Sequence, residues 1–317
     1  MDIMARPLRI EYPGAFYHIT SRGNERRDIF KNEQDFERFL TYLETATQRY
    51  GAVMHIYCLI SNHYHLLLET PMGNLSQIMR HINGAYTAYF NTNRQRAGHL
   101  FQGRYKAILV DADEYAGELS RYIHLNPVRA GIARKPEEYQ WSSYQYYIGK
   151  KKIPKWLTVD FILGYFGGKT TAAKEKYREF VNALIDKEYD NPLKDAVAST
   201  ILGGISFVNE IKDKYLRGKK ADRNLPALAE LKRIPIEEII NEVEVVLSGD
   251  KGLWKKAAIY LCHRYSGRTL REIGSYFDIG ESAVSQTSRR FIAAMSKDKK
   301  LSKKMKDICN RLRLCNV

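Results

Sequence analysis

Residues 61–68 read Ser-Asn-His-Tyr-His-Leu-Leu-Leu, and the fold of the first half of the chain follows from how they are placed. Ser61-Asn62 is a tight-turn pair between two apolar runs, which predicts a hairpin with strands over 52–60 and 63–69. Alternate residues of a strand share a face, so His63 and His65 point the same way. Working outward, Ala-Phe-Tyr-His-Ile-Thr-Ser at 15–21 predicts an earlier strand. Between it and the hairpin, Asn32 is a helix cap, and Phe36, Phe39, Leu40 and Leu43 keep helical spacing. After the hairpin, Pro71-Met72-Gly73-Asn74 breaks the chain and starts a second helix over about 74–92, with Leu75, Ile78, Met79 and Ile82 inward. Residues 104–110 supply a fourth strand, and Asp111 caps a third helix that ends near Asn126-Pro127.

The order β-α-β-β-α-β is that of the ferredoxin-like split fold, a four-stranded antiparallel sheet with helices on one face, to which the third helix is an addition. The expected class is therefore α+β, with a helical domain to follow.

The third helix ends Tyr122-Ile123-His124-Leu125-Asn126-Pro127. Residues four apart on a helix are neighbours, so Tyr122 and Asn126 share a face. Pro127 disfavours the α conformation for the residue before it, which puts Asn126 in or just past the final turn. Two imidazoles, one amide oxygen and one phenol can then converge: His63, His65 and Asn126 as metal ligands and Tyr122 as nucleophile. That set suits metal-assisted attack on a phosphodiester, and mixed nitrogen and oxygen ligation suits Mg²⁺ or Mn²⁺. The H-x-H spacing alone is weak, since 8 His in 317 residues give about 0.2 such pairs by chance.

The remaining histidines have blander readings. His18, His55, His81 and His99 read as structural or surface residues, His124 points elsewhere on its helix, and Glu69 reads as a surface carboxylate. Trp141, Tyr144, Tyr146 and Tyr147 either stack on unpaired bases or close a core under the next segment. Arg22, Arg26, Arg27, Arg104 and Lys106 are candidates for holding a nucleic-acid backbone.

A net charge of +15 is unevenly spread: residues 1–150 are net +3, 151–250 net +1, and 251–317 net +11. A polyanion is the natural partner of that last fifth. Lys297 to Lys306, taken alone, reads as a solubilising tail. No apolar run is long enough to cross a bilayer and the N-terminus lacks a signal-peptide layout, so a cytoplasmic protein is expected, with no membrane partner and no small-molecule substrate. Cys58, Cys262, Cys309 and Cys315 are scattered, which suggests neither a zinc knuckle nor a disulfide framework.

Three segments are expected: 1–150 with the His and Tyr motifs, a helical connector over 151–232, and an all-helical domain over 233–317. The connector contains a helix over about 171–188, Asp190-Asn191-Pro192, a helical stretch near 205–216, and a polar linker from Arg217 to Arg223. In the last segment Ile236 to Leu247 and Leu253 to Tyr265 are helices, and Thr269-Leu270-Arg271-Glu272 is a capping-box signature opening a third. A turn over Phe277 to Gly280 leads into a fourth, from Glu281 to about Met295, which completes a helix-turn-helix pattern. Val284, Thr287, Ser288 and Phe291 form its inward stripe. Ser282, Ser285, Gln286 and Arg289 fall opposite, where they can meet base edges.

The ordered motifs S-N-H-Y-H-L-L-L and Y-I-H-L-N-P-V-R-A-G, with R-G-N at 22–24, F-Q-G-R-Y-K at 101–106 and W-S-S-Y at 141–144, resemble the HUH-type single-tyrosine transposases, in particular the branch associated with repetitive extragenic palindromes. The resemblance covers roughly residues 5–150. It implies single-stranded hairpin DNA as substrate, with Tyr122 left on the 5′ phosphate and a free 3′-OH opposite. Residues 233–292 resemble the C-terminal DNA-binding domain of the replication initiator DnaA through W-K-K-A-A-I-Y-L, L-R-E-I-G-S-Y-F and S-A-V-S-Q, which implies duplex DNA as a second partner. Asp278-Ile279-Gly280-Glu281 replaces that family's base-reading basic and histidine loop, so no target sequence is implied. The alternative function is a catalytically silent DNA-binding regulator derived from such an enzyme. A zinc hydrolase lacks a clustered ligand set. The sequence leaves a homodimer open.

Overall fold

A computed structural model of the chain describes residues 9–185, 187, 191–216, 233–247, 249 and 251–312. They fall into two units, one up to Glu210 and one from Ile211 onward.

In the first unit, strands β1 (Ala15–Arg22), β2 (Val53–Ile60), β3 (His63–Thr70) and β4 (Lys106–Val110) form an antiparallel sheet in the order β2-β3-β1-β4. This is the ferredoxin-like order. Helix α1 (Glu33–Tyr50) starts at Asn32, whose side chain accepts from the Asp35 N–H, and ends at Gly51 in the left-handed conformation. Helix α2 (Leu75–Asn93) lies beside it. Both cover the face that carries the even residues of β3: Tyr64 packs against Phe39 with the rings tilted and centroids 4.8 Å apart, and donates to Asn83 Oδ1 at 2.6 Å. Helix α3 (Ala112–His124) packs on the opposite face, so the sheet is covered on both sides. A two-residue strand, β5 (Ile201–Leu202), adds to the edge parallel to β4. Sequence pattern cannot announce a strand that short.

The segment read as a connector belongs largely to this unit. Thr158 N–H donates to Met54 O at 2.8 Å, and Leu157, Val159, Ile162 and Leu163 are buried. Past the short α4 (Asn126–Arg129) and the single helical turns Tyr144–Tyr147 and Asp160–Gly164, helix α5 (Thr171–Asn182) is shorter than its sequence pattern suggests. It buries Ala173, Tyr177 and Val181. The Lys, Pro and Gly residues that mark 150–170 as a linker are turns in a packed layer. The single division of the structure falls at 210/211, where the sequence suggested boundaries after 150 and 232. Asp190 and Arg217 to Arg223 lie outside the described residues.

The second unit is helical: α6 (Ile236–Leu247), α7 (Lys251–Leu261), α8 (Leu270–Phe277), α9 (Glu281–Met295) and α10 (Lys299–Arg311). Helix α7 continues through a wider turn, Cys262–Ser266, to Gly267 at φ 65°. Thr269 and Glu272 form the expected reciprocal capping box. Between α8 and α9, Gly274 is required sterically, because a Cβ there would meet Ile279 O at 2.5 Å. The lysine-rich end is a helix and not a tail. Asp298 caps α10, and Leu301, Met305, Ile308 and Cys309 are buried in the common core with Val243, Leu247 and Phe291. The lysines occupy the other face and mask an i, i+4, i+7 stripe. Among the described residues no helix is long and apolar enough to cross a membrane.

Candidate active site

On β3 the odd residues His63 and His65 face α3. His65 lies in register between Thr20 on β1 and Cys58 on β2, and His63 between Arg22 and Ile60. The two rings are 5.1 Å apart, edge to face. Tyr122 approaches from α3, its ring edge-on to His65 at 5.9 Å. Leu125 keeps a right-handed helical conformation (φ −83°, ψ −4°), which carries the chain past the end of α3 into α4. Asn126 therefore falls one turn after Tyr122, and its Nδ2 donates to Tyr122 O at 3.3 Å. Pro127 sits in the first turn of α4, where its missing N–H has no helical partner to lose. The Asn126 side chain acts on both neighbours, favouring the charged form of the His63 ring and of the Tyr122 phenol. The structure thus brings together the four residues chosen from sequence.

His63 Nδ1 lies 2.6 Å from Asn62 Oδ1, while the Asn62 amide nitrogen donates to Arg26 O at 3.3 Å and so fixes which way the amide faces. An amide oxygen only accepts, so His63 carries its proton on Nδ1 and keeps the Nε2 lone pair. Burial, with the Arg22 charge adding to it, pushes the His63 pKa down to about 4. Burial, then the neighbouring His18, His63 and Arg22, holds His65 well below the usual histidine range. Both are neutral imidazoles at neutral pH, the form that ligates a metal. Burial raises the Tyr122 phenol, opposed by the charges of Arg129 and Arg22 and by Asn126.

The cationic candidates divide. Arg22 is opposite His63, and Lys106 lies in the cross-strand row Lys106–Thr20–His65, roughly 10 Å from His65 at normal strand spacing. Arg26, Arg27 and Arg104 are exposed, and Arg27 pairs with Glu25 at 2.5 Å. In the helical unit, Ser282, Gln286 and Arg289 are exposed on α9 and Ser285 is half-buried; Val284, Ser288 and Phe291 are buried on the other side.

Three neighbours escaped the sequence reading. Arg129 places its guanidinium 5.2 Å from the centre of the Tyr122 ring; it stands within the quoted N-P-V-R, but only the turn into α4 brings it there. His18, expected to be an ordinary structural or surface residue, is buried with Nε2 3.0 Å from His65 Nδ1. Its one signal is strand register, which makes His18 and His65 diagonal neighbours on one face. His124, given no role, is buried between Tyr177 Oη at 2.7 Å and Ser143 Oγ at 2.8 Å. It thereby pins the helix that presents Tyr122. Tyr144 and Tyr147 are buried around it and close a core.

Among the described residues no group of three or more His, Cys, Asp or Glu is arranged to hold a metal. A metal at this site would therefore take two imidazoles and an amide. Cys58, opposite His65, offers no thiolate, because burial raises its pKa far above the usual thiol range.

A phenol, two neutral imidazoles and an amide are gathered against one face of a ferredoxin-like sheet. Residues 12–126 match the family described as transposase, IS200-like. A solved structure of a REP-associated tyrosine transposase bound to a REP hairpin is similar at 15% identity and a TM-score of 0.40, over 48% of this chain and 89% of that one. Among curated proteins none matches.

Proposed function

We propose that the chain is a metal-dependent strand transferase that cleaves and rejoins single-stranded DNA at hairpin elements through a phosphotyrosine at Tyr122. The observation that carries this reading is the meeting of Tyr122, His63, His65 and Asn126 within the domain matched to the transposase family. His63 Nε2, the His65 ring and the Asn126 oxygen fit Mg²⁺ or Mn²⁺, since all are neutral donors and no thiolate favours zinc. The bound ion would supply Lewis acidity to a non-bridging phosphate oxygen.

Tyr122 Oη attacks phosphorus, the bond to the 3′-oxygen breaks, the phenol proton leaves to solvent, and the 3′-oxygen gains a proton. One phosphoester replaces another, so rejoining needs no nucleotide cofactor. Tyrosine is a weak nucleophile while protonated, and burial favours that form here. Arg129 and Arg22 counter this by stabilising the phenolate, and the rigid end of α3 fixes the line of attack. Arg22, Arg26, Arg27, Arg104 and Lys106 would hold the strand backbone. Helix α9 and the +11 charge of 251–317 would hold duplex DNA nonspecifically and through Ser282, Ser285, Gln286 and Arg289.

Incubation of the chain with single-stranded hairpin DNA and Mn²⁺ should give a protein–DNA adduct that survives SDS and a free 3′-OH that a polymerase extends. Duplex binding with neither product would leave the chain a DNA-binding regulator.

A further inference from the structure

The His18–His65 contact has the geometry of an in-plane hydrogen bond. The nitrogens are 3.0 Å apart, the rings lie within 17° of parallel, and their centroids are 5.2 Å apart. A face-on stack would bring the centroids closer than the nitrogens require. Two neutral imidazoles can share one proton in two ways, and the choice decides which nitrogen of His65 is free. When His18 Nε2–H donates, His65 accepts on Nδ1 and carries its own proton on Nε2, so neither nitrogen is available. In the reverse arrangement His65 Nδ1–H donates and Nε2 is free for a ligand.

We propose that His18 is the positioning residue of the metal site: it accepts the Nδ1–H of His65 and so presents His65 Nε2 to the ion. The inference rests on the reading of His63, His65 and Asn126 as ligands. Ligating histidines donate their other N–H to an oriented acceptor, most often a carboxylate or carbonyl. Here Asn62 serves His63 and an imidazole serves His65. An imidazole acceptor has a consequence that a carboxylate lacks. His18 must then hold its proton on Nδ1, which is buried with no hydrogen-bond partner. A buried N–H without an acceptor is costly, so the metal-free protein favours the opposite arrangement. Loading the site then moves the proton on both rings, with no net proton released.

The test uses the full chain without DNA. Free Mn²⁺ followed by electron paramagnetic resonance gives the Kd for wild type, His18→Leu and His18→Gln. His18→Leu should weaken binding about 10–100-fold, with an unchanged circular dichroism spectrum. His18→Gln, whose amide oxygen can accept the same N–H, should recover most of the loss. Nitrogen-15 spectra of wild type should show the His18 and His65 protons on Nδ1 after Mg²⁺ is added, and the His18 proton on Nε2 before. Equal Kd for His18→Leu and wild type overturns the inference alone, as does a His65 proton on Nε2 in the Mg²⁺-loaded protein. Should His18→Leu not fold, the wild-type spectra decide. Wild type that binds no Mn²⁺ overturns the metal reading itself.

Discussion

On the sheet, Tyr122, His63, His65 and Asn126 meet across one strand and one helix end, and His65 is buried to 6% exposure. On α9, Ser282, Gln286 and Arg289 stand exposed along a helix in a segment whose net charge is +11. The first arrangement depends on single atoms held by a packed core. The second depends on a sum of charges, each of which water can replace. Losing one group should therefore cost much in the first unit and little in the second. That difference in how function is stored is what the proposed activity can be made to reveal.

The largest effect should come from one oxygen. Tyr122→Phe keeps the ring beside His65 and removes only the phenol, so the SDS-resistant adduct should vanish while hairpin binding stays within about twofold, an energy difference below about 0.5 kcal/mol. An adduct formed by the Phe variant would mean that another of the 22 tyrosines is the nucleophile.

Next come the proposed ligands, two of them imidazoles and the third a more weakly donating amide. His63→Ala or His65→Ala, or chelation of the wild type, should lower cleavage by more than about 100-fold, the upper end of what supporting residues contribute. Asn126→Ala should lose less and recover as the metal concentration is raised, because the nucleophile and both imidazoles remain. Cleavage undiminished in excess chelator would rule the mechanism out.

These two tests bear on residues that were legible in sequence for a physical reason. A strand period of two and a helix spacing of four are local rules, and they placed His63, His65, Tyr122 and Asn126 without knowledge of the fold. The Asn126 alignment survived Pro127 because Leu125 stays helical and the proline opens a new turn. His18 was invisible for the opposite reason: its contact with His65 spans 47 residues and depends on the register of β1 against β3. The packed layer of 151–182 was hidden by its Lys, Pro and Gly residues, and α10 by its lysines, although Leu301, Met305 and Ile308 keep helical spacing. Composition misled where it was allowed to outvote periodicity.

In the helical unit the effect of a single residue should be smaller and should scale with salt. Arg289→Ala combined with Arg290→Ala removes two exposed cations from α9. If both meet phosphates, the slope of log affinity against log salt for duplex DNA should fall by about 1.8, at about 0.9 per phosphate contact. Adduct formation with saturating hairpin should be unchanged. An unchanged slope would remove this face of α9 from the duplex interface, and a lost adduct would tie the two units together catalytically.

The smallest effect tests whether the helical unit serves binding alone. Thr269 accepts from the Glu272 N–H, and Glu272 accepts from Thr269 N–H at 2.8 Å, closing the first turn of α8. This box is exposed and far along the chain from Tyr122, so Thr269→Ala removes one cap and nothing from the sheet. Loss of such a cap costs about 1 kcal/mol. Thermal unfolding should show that loss as a lower midpoint for the transition of the helical unit, with the transition of the sheet unit unmoved. Duplex affinity should weaken only as far as α8 and α9 are unfolded at the temperature of measurement. The adduct yield on hairpin DNA should match wild type at every temperature below that midpoint. A fall in adduct yield that tracks the helical transition would show that Tyr122 needs the second unit in place, and the contrast between a local site and a diffuse surface would have to be abandoned.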